Sequence, residues 1–146
     1  MAKRVPFRLI TPTSVVFDGE AELVIVTATE GEVGILAAHA PYLTALKPGV
    51  LRANLVAEGG AARRLQLATS GGFLFALPDR IVVLVDQALA PETVDGALAK
   101  AELEEARERQ KGAGGDRAVF AQEQERIDFA NAKLALAGGG VGATES

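Results

Sequence analysis

Cysteine is absent from this 146-residue chain and histidine occurs once. The first absence excludes disulfides, thiolate nucleophiles and thiolate metal sites, and the second leaves little to hold zinc. Long apolar runs are missing too: a stretch such as Val33 to Leu46 is too short to span a bilayer and carries Gly and Pro. Basic residues are in deficit, 15 Lys and Arg against 19 Asp and Glu, a net charge of −4. A nucleic-acid binder would show the opposite excess. Met1 to Phe7 leads straight into a strand-like pattern, with no apolar signal core or cleavage site, so the chain is expected to be soluble and to stay where it is made. The chain contains no G-x-S-x-G, no G-x-x-x-x-G-K-[ST] and no H-E-x-x-H. What it has is apolar content, 49%, and length enough for one self-sufficient core with an appendage.

Composition changes near residue 90. Up to Pro91 the charges balance, eight acidic and eight basic, and Gly and Pro punctuate short apolar runs. From Glu92 to Leu136 there are ten acidic and seven basic residues on an Ala-rich background without proline. The first stretch reads as strands. Val5, Phe7 and Leu9 give one apolar face at period two. Leu23-Val24-Ile25-Val26-Thr27 is so apolar that both faces should be covered. Leu51, Ala53 and Leu55 alternate with Arg52 and Asn54, and beyond Glu58-Gly59-Gly60-Ala61 the residues Leu65, Leu67 and Thr69 alternate with Arg64, Gln66 and Ala68. Two such runs about a Gly-Gly pair predict a hairpin. Gly71-Gly72 leads into Phe73-Leu74-Phe75, and Pro78-Asp79 turns the chain into Ile81 to Val85. Many short strands predict an all-β antiparallel sandwich or flattened barrel over residues 1–88.

Residues 89–138 read as an α-helical hairpin. Thr93 is the expected first cap, with Glu92 and Asp95 near the positive end of the helix dipole. Val94, Ala97, Leu98 and Ala101 form the expected inward stripe. Gly112-Ala113-Gly114-Gly115 breaks the helix, Asp116 caps a second one, and Phe120, Ile127, Ala130, Leu134 and Ala137 make its inward stripe. Gly138 to Gly140 ends it, and residues 139–146 are expected to form a disordered tail. Small apolar side chains bury little area, so the hairpin should pack closely but weakly and could detach at small cost.

Few residues offer chemistry. His39, before Pro41, reads as a loop residue, structural or interfacial rather than catalytic. Ser70-Gly71-Gly72 could hold an anion with backbone amides, though a tight turn is the commoner use of such a run. Glu102, Glu104, Glu105 and Glu108 read as a solvated face with ion pairs, Glu105 to Arg109 among them, rather than a metal cage. Arg117, Arg126 and Lys133 serve either solubility or an acidic partner. No catalytic residue, metal site or cofactor is assigned.

Ile10-Thr11-Pro12, Val16-Phe17-Asp18-Gly19-Glu20, Glu30-Gly31-Glu32-Val33-Gly34-Ile35-Leu36 and His39-Ala40-Pro41 occur in that order. Leu43-Thr44-Ala45-Leu46-Lys47-Pro48-Gly49-Val50, Ser70-Gly71-Gly72-Phe73 and Val83-Leu84-Val85-Asp86 follow. From Phe7 to Asp86 this resembles the epsilon subunit of the F-type, proton-translocating ATP synthase, and a helical hairpin follows as in that family.

The resemblance implies a non-catalytic rotor protein of the central stalk. Its sandwich would bind the gamma subunit and sit on the c-ring, coupling ring rotation to ATP synthesis. Glu30, Gly31, Glu32 and His39 match the region that approaches the ring's polar loops. Glu32 would register the sandwich against basic loops there, or else is a solvated turn carboxylate. The hairpin would inhibit ATP hydrolysis when extended along gamma, Arg117, Arg126 and Lys133 being the cations available to an acidic segment of the beta subunit. One stretch departs from the family. Nucleotide-binding members carry Ile/Leu-Asp-x-x-Arg-Ala where this chain has Val94-Asp95-Gly96-Ala97-Leu98-Ala99, with Leu98 in place of the arginine. That removes a phosphate partner, and Lys100, about 200° further round the helix, is a poor substitute. ATP binding is therefore expected to be weak or absent. The location implied is peripheral, on the cytoplasmic face of a bacterial inner membrane, reached only through the complex; a chloroplast-encoded protein stays open. The competing readings are a sandwich and coiled-coil adaptor of an unrelated complex, and an enzyme or small-ligand binder built on the sandwich.

Overall fold

The computed structural model describes residues 4–37, 41–56 and 62–138. His39, the turn at Glu58 to Ala61 and the tail 139–146 lie outside the described residues. Nine strands form the first part: β1 (Val5–Thr11), β2 (Ser14–Ala28), β3 (Gly31–Leu36), β4 (Tyr42–Leu46), β5 (Gly49–Val56), β6 (Ala62–Thr69), β7 (Gly72–Leu77), β8 (Arg80–Val85) and β9 (Ala88–Leu89). Two helices follow, α1 (Gly96–Lys111) and α2 (Arg117–Ala137), giving the β-then-α order read from the sequence.

The long strand β2 organises the sheet. Its first half pairs with β1, and its second half lies between β3 and β5. The register shifts between Leu9 and Ile10 and between Ala21 and Leu23, irregularities of the kind that bend a strand. The order β1-β8-β7-β4-β2 closes on itself because β1 also pairs with β2. Among the described residues one ladder pair, Ala28 with Leu46, and the adjacent bond from the Lys47 amide to the Thr27 carbonyl join β2 to β4, so the closure is loose and the barrel flattened. One pairing departs from the antiparallel expectation: β1 and β8 run parallel, Phe7 facing Ile81 and Ile10 facing Leu84. Ring closure imposes this: the ring β1-β2-β4-β7-β8 has five members, and with the other four pairings antiparallel the last must be parallel.

The period-two alternation is the burial pattern. Val5, Phe7 and Leu9 are buried with Val24, Val26, Leu51, Leu74, Ile81 and Val83, and the rings of Phe7 and Phe17 meet at 5.6 Å. In Leu23 to Thr27 one face is fully buried and the other only half covered. The β5–β6 hairpin is present, Val56 opposite Ala62. On β6 Ala68, assigned by alternation to the polar face, is fully buried. The reason is α2, whose Ala132 and Leu136 pack on it beside Val50, Val94 and Phe129.

The helices start and face differently from the sequence reading. Thr93 belongs to a separate single turn, Pro91–Thr93, its hydroxyl donating to the Ala90 carbonyl at 2.8 Å. Asp95 is the true cap of α1, accepting from the Leu98 amide at 3.1 Å. The inward stripe of α1 is accordingly Ala99, Leu103 and Ala106, while Ala97, Leu98 and Ala101 are exposed. Asp116 caps α2 as read, accepting from the Ala118 and Val119 amides. Ile127, Ala130 and Leu134 pack toward α1, but Phe120 and Ala137 are exposed. α2 buries a second face, Ala132 and Leu136 on the sheet, and this is what docks the hairpin.

Candidate functional site

Four places carry the sequence-derived candidates. At the first, β2 turns into β3 through Thr29 and Glu30, and Gly31 takes φ +129°, which L side chains rarely adopt. Glu30 projects at this exposed tip. Glu32, two residues on, is bound: its Oε2 accepts from Arg52 Nη2 at 2.7 Å. The sequence reading placed Glu32 at an interface but missed Arg52.

The second place is an outer sheet face that the sequence reading passed over. Register aligns Ala45, Phe73, Leu84, Ile10 and Val15 in one row across β4, β7, β8, β1 and β2. Leu43, Phe75 and Val82 form the neighbouring row, which ends in Arg8 and Asp18, an ion pair at 3.5 Å. Leu43 is 63% exposed, Phe73 53%, Val15 49% and Leu84 38%. An exposed apolar face of this kind is a candidate docking surface. The signal was available: Phe73-Leu74-Phe75 and Ile81 to Val85 are apolar at consecutive positions, so both strand faces need cover.

The third place is the hairpin. Arg126 Nη1 donates to Glu123 Oε2 at 2.7 Å, and Arg109 Nε donates to the other oxygen of Glu123 at 3.2 Å. The Glu123 side chain is only 5% exposed, so the two guanidiniums offset the cost of burying its charge. Lys133 Nζ donates to Glu102 at 2.6 Å and lies 4.7 Å from the Phe129 ring centre. Two of the three candidate cations are therefore already paired, while Arg117 makes no ion pair among the described residues. Glu105 and Arg109 lie 3.9 Å apart as the helical spacing requires, and no group of metal-ligating side chains forms among the described residues.

At the fourth place, Asp95 is engaged with the Leu98 amide, Val94 is half-buried against α2, Ala99 is buried, and the Leu98 side chain is 56% exposed. Ser70-Gly71-Gly72 is a bend that leads β6 into β7. Ser70 donates its amide to the Gln87 carbonyl and accepts the Gln87 amide on Oγ at 2.9 Å, stitching β6 to the segment after β8.

Residues 4–91 match the family model of the ATP synthase, Delta/Epsilon chain, beta-sandwich domain. The chain belongs to this family. Its epsilon-chain relatives extend past the sandwich: the ATP synthase epsilon chain of Desulforamulus reducens is 40% identical over 136 residues, 93% of this chain and 92% of that protein. That of Teredinibacter turnerae is 36% identical, covering 92% of each. A chain in the cryo-EM structure of the Euglena gracilis mitochondrial ATP synthase, OSCP/F1/c-ring, superposes with a TM-score of 0.74 at 25% identity, covering 90% of this chain and 80% of that one. A chain of the Tetrahymena thermophila mitochondrial ATP synthase central stalk and c-ring shares the fold at a TM-score of 0.60 and 14% identity. The epsilon assignment thus rests on the sandwich and on the order of sandwich and hairpin together. Among the described residues no helix is long and apolar enough to cross a membrane.

Proposed function

We propose that this epsilon chain is a non-catalytic rotor subunit of a proton-translocating ATP synthase, coupling c-ring rotation to ATP synthesis through its sheet body. The outer face of β4, β7, β8 and β1 would receive the gamma subunit, and the Glu30-Gly31-Glu32 tip, together with His39, would meet the ring. The apolar row Phe73–Leu84–Ile10–Val15 is the observation that carries this reading. It gives a sheet with a dry core on one side a second apolar side, which a free-standing domain would not need. Attachment to the cytoplasmic face of a bacterial inner membrane then follows from the complex alone. Substituting Phe73→Glu places a charge at the centre of that row. It should abolish co-purification with gamma while leaving the fold intact, because the side chain is exposed; undiminished co-purification would refute the docking face.

The hairpin would act as the regulatory element. Folded on the sheet it holds Arg126 against Glu123 and Lys133 against Glu102; extended, it would offer Arg117, together with Arg126 and Lys133 drawn from those pairs, to an acidic segment of the beta subunit and slow hydrolysis. Nucleotide is not expected to set this equilibrium. With Leu98 where a guanidinium would be needed, a calorimetric titration of the intact chain with ATP should give no saturable heat up to millimolar concentration, and a defined isotherm below that would contradict it.

A further inference from the structure

Arg52 stands out in the sheet because one strand separates it from its partner. It lies on β5 opposite Ile25 of β2, and Glu32 lies on β3 opposite Thr27 of β2. β3 and β5 flank β2, so the 2.7 Å bond between Arg52 and Glu32 passes over the outward face of the central strand, a span of about 10 Å at ordinary strand spacing. The Arg52 side chain is mostly buried and its Nε–H has no hydrogen-bond partner among the described residues. An unpartnered buried donor is a cost that an apolar residue at this position would avoid. Glu32, in contrast, is more than half exposed, so the bond adds little to the stability of the sheet. The arrangement is costly at the arginine and inexpensive at the glutamate, the pattern of a residue retained for what it does to its partner.

Resting on the ring-facing role of Glu32, we propose that Arg52 is a positioning residue: it fixes the Glu32 carboxylate by one oxygen, Oε2, and leaves the other available to a basic loop of the c-ring. The pair presents an oriented acceptor with little net charge. Recognition then depends on geometry more than on long-range attraction, and an unpaired glutamate on the same tip would sample several rotamers before docking.

The test is a mutant cycle read as the dissociation constant of the full-length chain for a purified gamma–c-ring complex, with Tm measured in parallel. Glu32→Gln and Arg52→Gln should each weaken binding about tenfold. Arg52→Gln should have no further effect in the Glu32→Gln background, because it acts through that carboxylate. Arg52→Lys should restore part of the affinity, since an ammonium can still pair with Glu32. Tm should stay within about 2 °C throughout, because an ion pair whose glutamate is open to solvent contributes little to stability. If Glu32→Gln leaves binding unchanged, the ring contact itself fails and the positioning role with it. If Glu32→Gln weakens binding but Arg52→Gln does not, or if Arg52→Gln weakens it equally in both backgrounds, the positioning role alone is overturned.

Discussion

At the scale of single residues, Gly72 and Gly31 are glycines for opposite reasons. A methyl at Gly72 would lie 1.9 Å from the Leu84 carbonyl oxygen, and the obstacle is the backbone of β8, which cannot swing aside. At Gly31 nothing lies within 4 Å and only the positive φ disfavours a side chain. Gly72→Ala should therefore cost about 3 kcal/mol or more, and Gly31→Ala about 1–2 kcal/mol, in urea unfolding. Equal losses would show that the two positions are not distinguished by steric approach. Glu123 makes a second residue-scale case. Its two arginine partners are each half exposed and can rehydrate if the carboxylate is removed, so Glu123→Ala should cost about 1–2 kcal/mol. Removing Arg109 and Arg126 together strands a buried carboxylate and should cost about 3–5 kcal/mol. Hydrogen exchange of the α1 and α2 amides separates the two, the double variant being the faster.

At the scale of elements, the hairpin holds to the sheet through a small patch. Ala68 of β6 meets Ala132 and Leu136 of α2, with Val50, Val94 and Phe129 at the margin. Side chains of that size stabilise docking by only on the order of a few kcal/mol. Ala132→Glu should release the hairpin from the sheet without separating α1 from α2, because Leu103, Ala106, Ile127 and Ala130 form their own cluster. The check is distance measurement between labels on β6 and α2, expected to lengthen, beside unchanged far-UV circular dichroism. This patch also shows where sequence reading stopped. Val5, Phe7 and Leu9 were legible because a strand with one wet face must alternate. Thr93, by contrast, was a plausible cap until Asp95 was seen holding the Leu98 amide. The inward stripe of α1 was not legible because alanine occurs around the whole helix, at Ala97, Ala99, Ala101 and Ala106, and constrains its phase little. α2 misled for a further reason, since it buries two faces and shows no single period. The Arg52–Glu32 bond was out of reach altogether: it requires knowing which strands flank β2, and in what register.

At the scale of the whole molecule, the two parts have separate cores. The sheet cluster is complete without any residue of α1 or α2, and the contact between the parts is the small patch on Ala68. Arg126 and Lys133 are turned to Glu123 and Glu102, both within the hairpin, so undocking from the sheet leaves these pairs in place and an acidic partner must displace the two glutamates. That separation makes a division of labour physically possible, with torque passing through the sheet and inhibition residing in the helices. The most direct measurement is made on an ATP synthase reassembled with a chain ending after residue 90, reading ATP hydrolysis and ATP-driven proton pumping on the same preparation. Hydrolysis should rise while pumping per ATP is retained. Loss of pumping with the sheet body in place, or hydrolysis held at its original rate, would contradict the division.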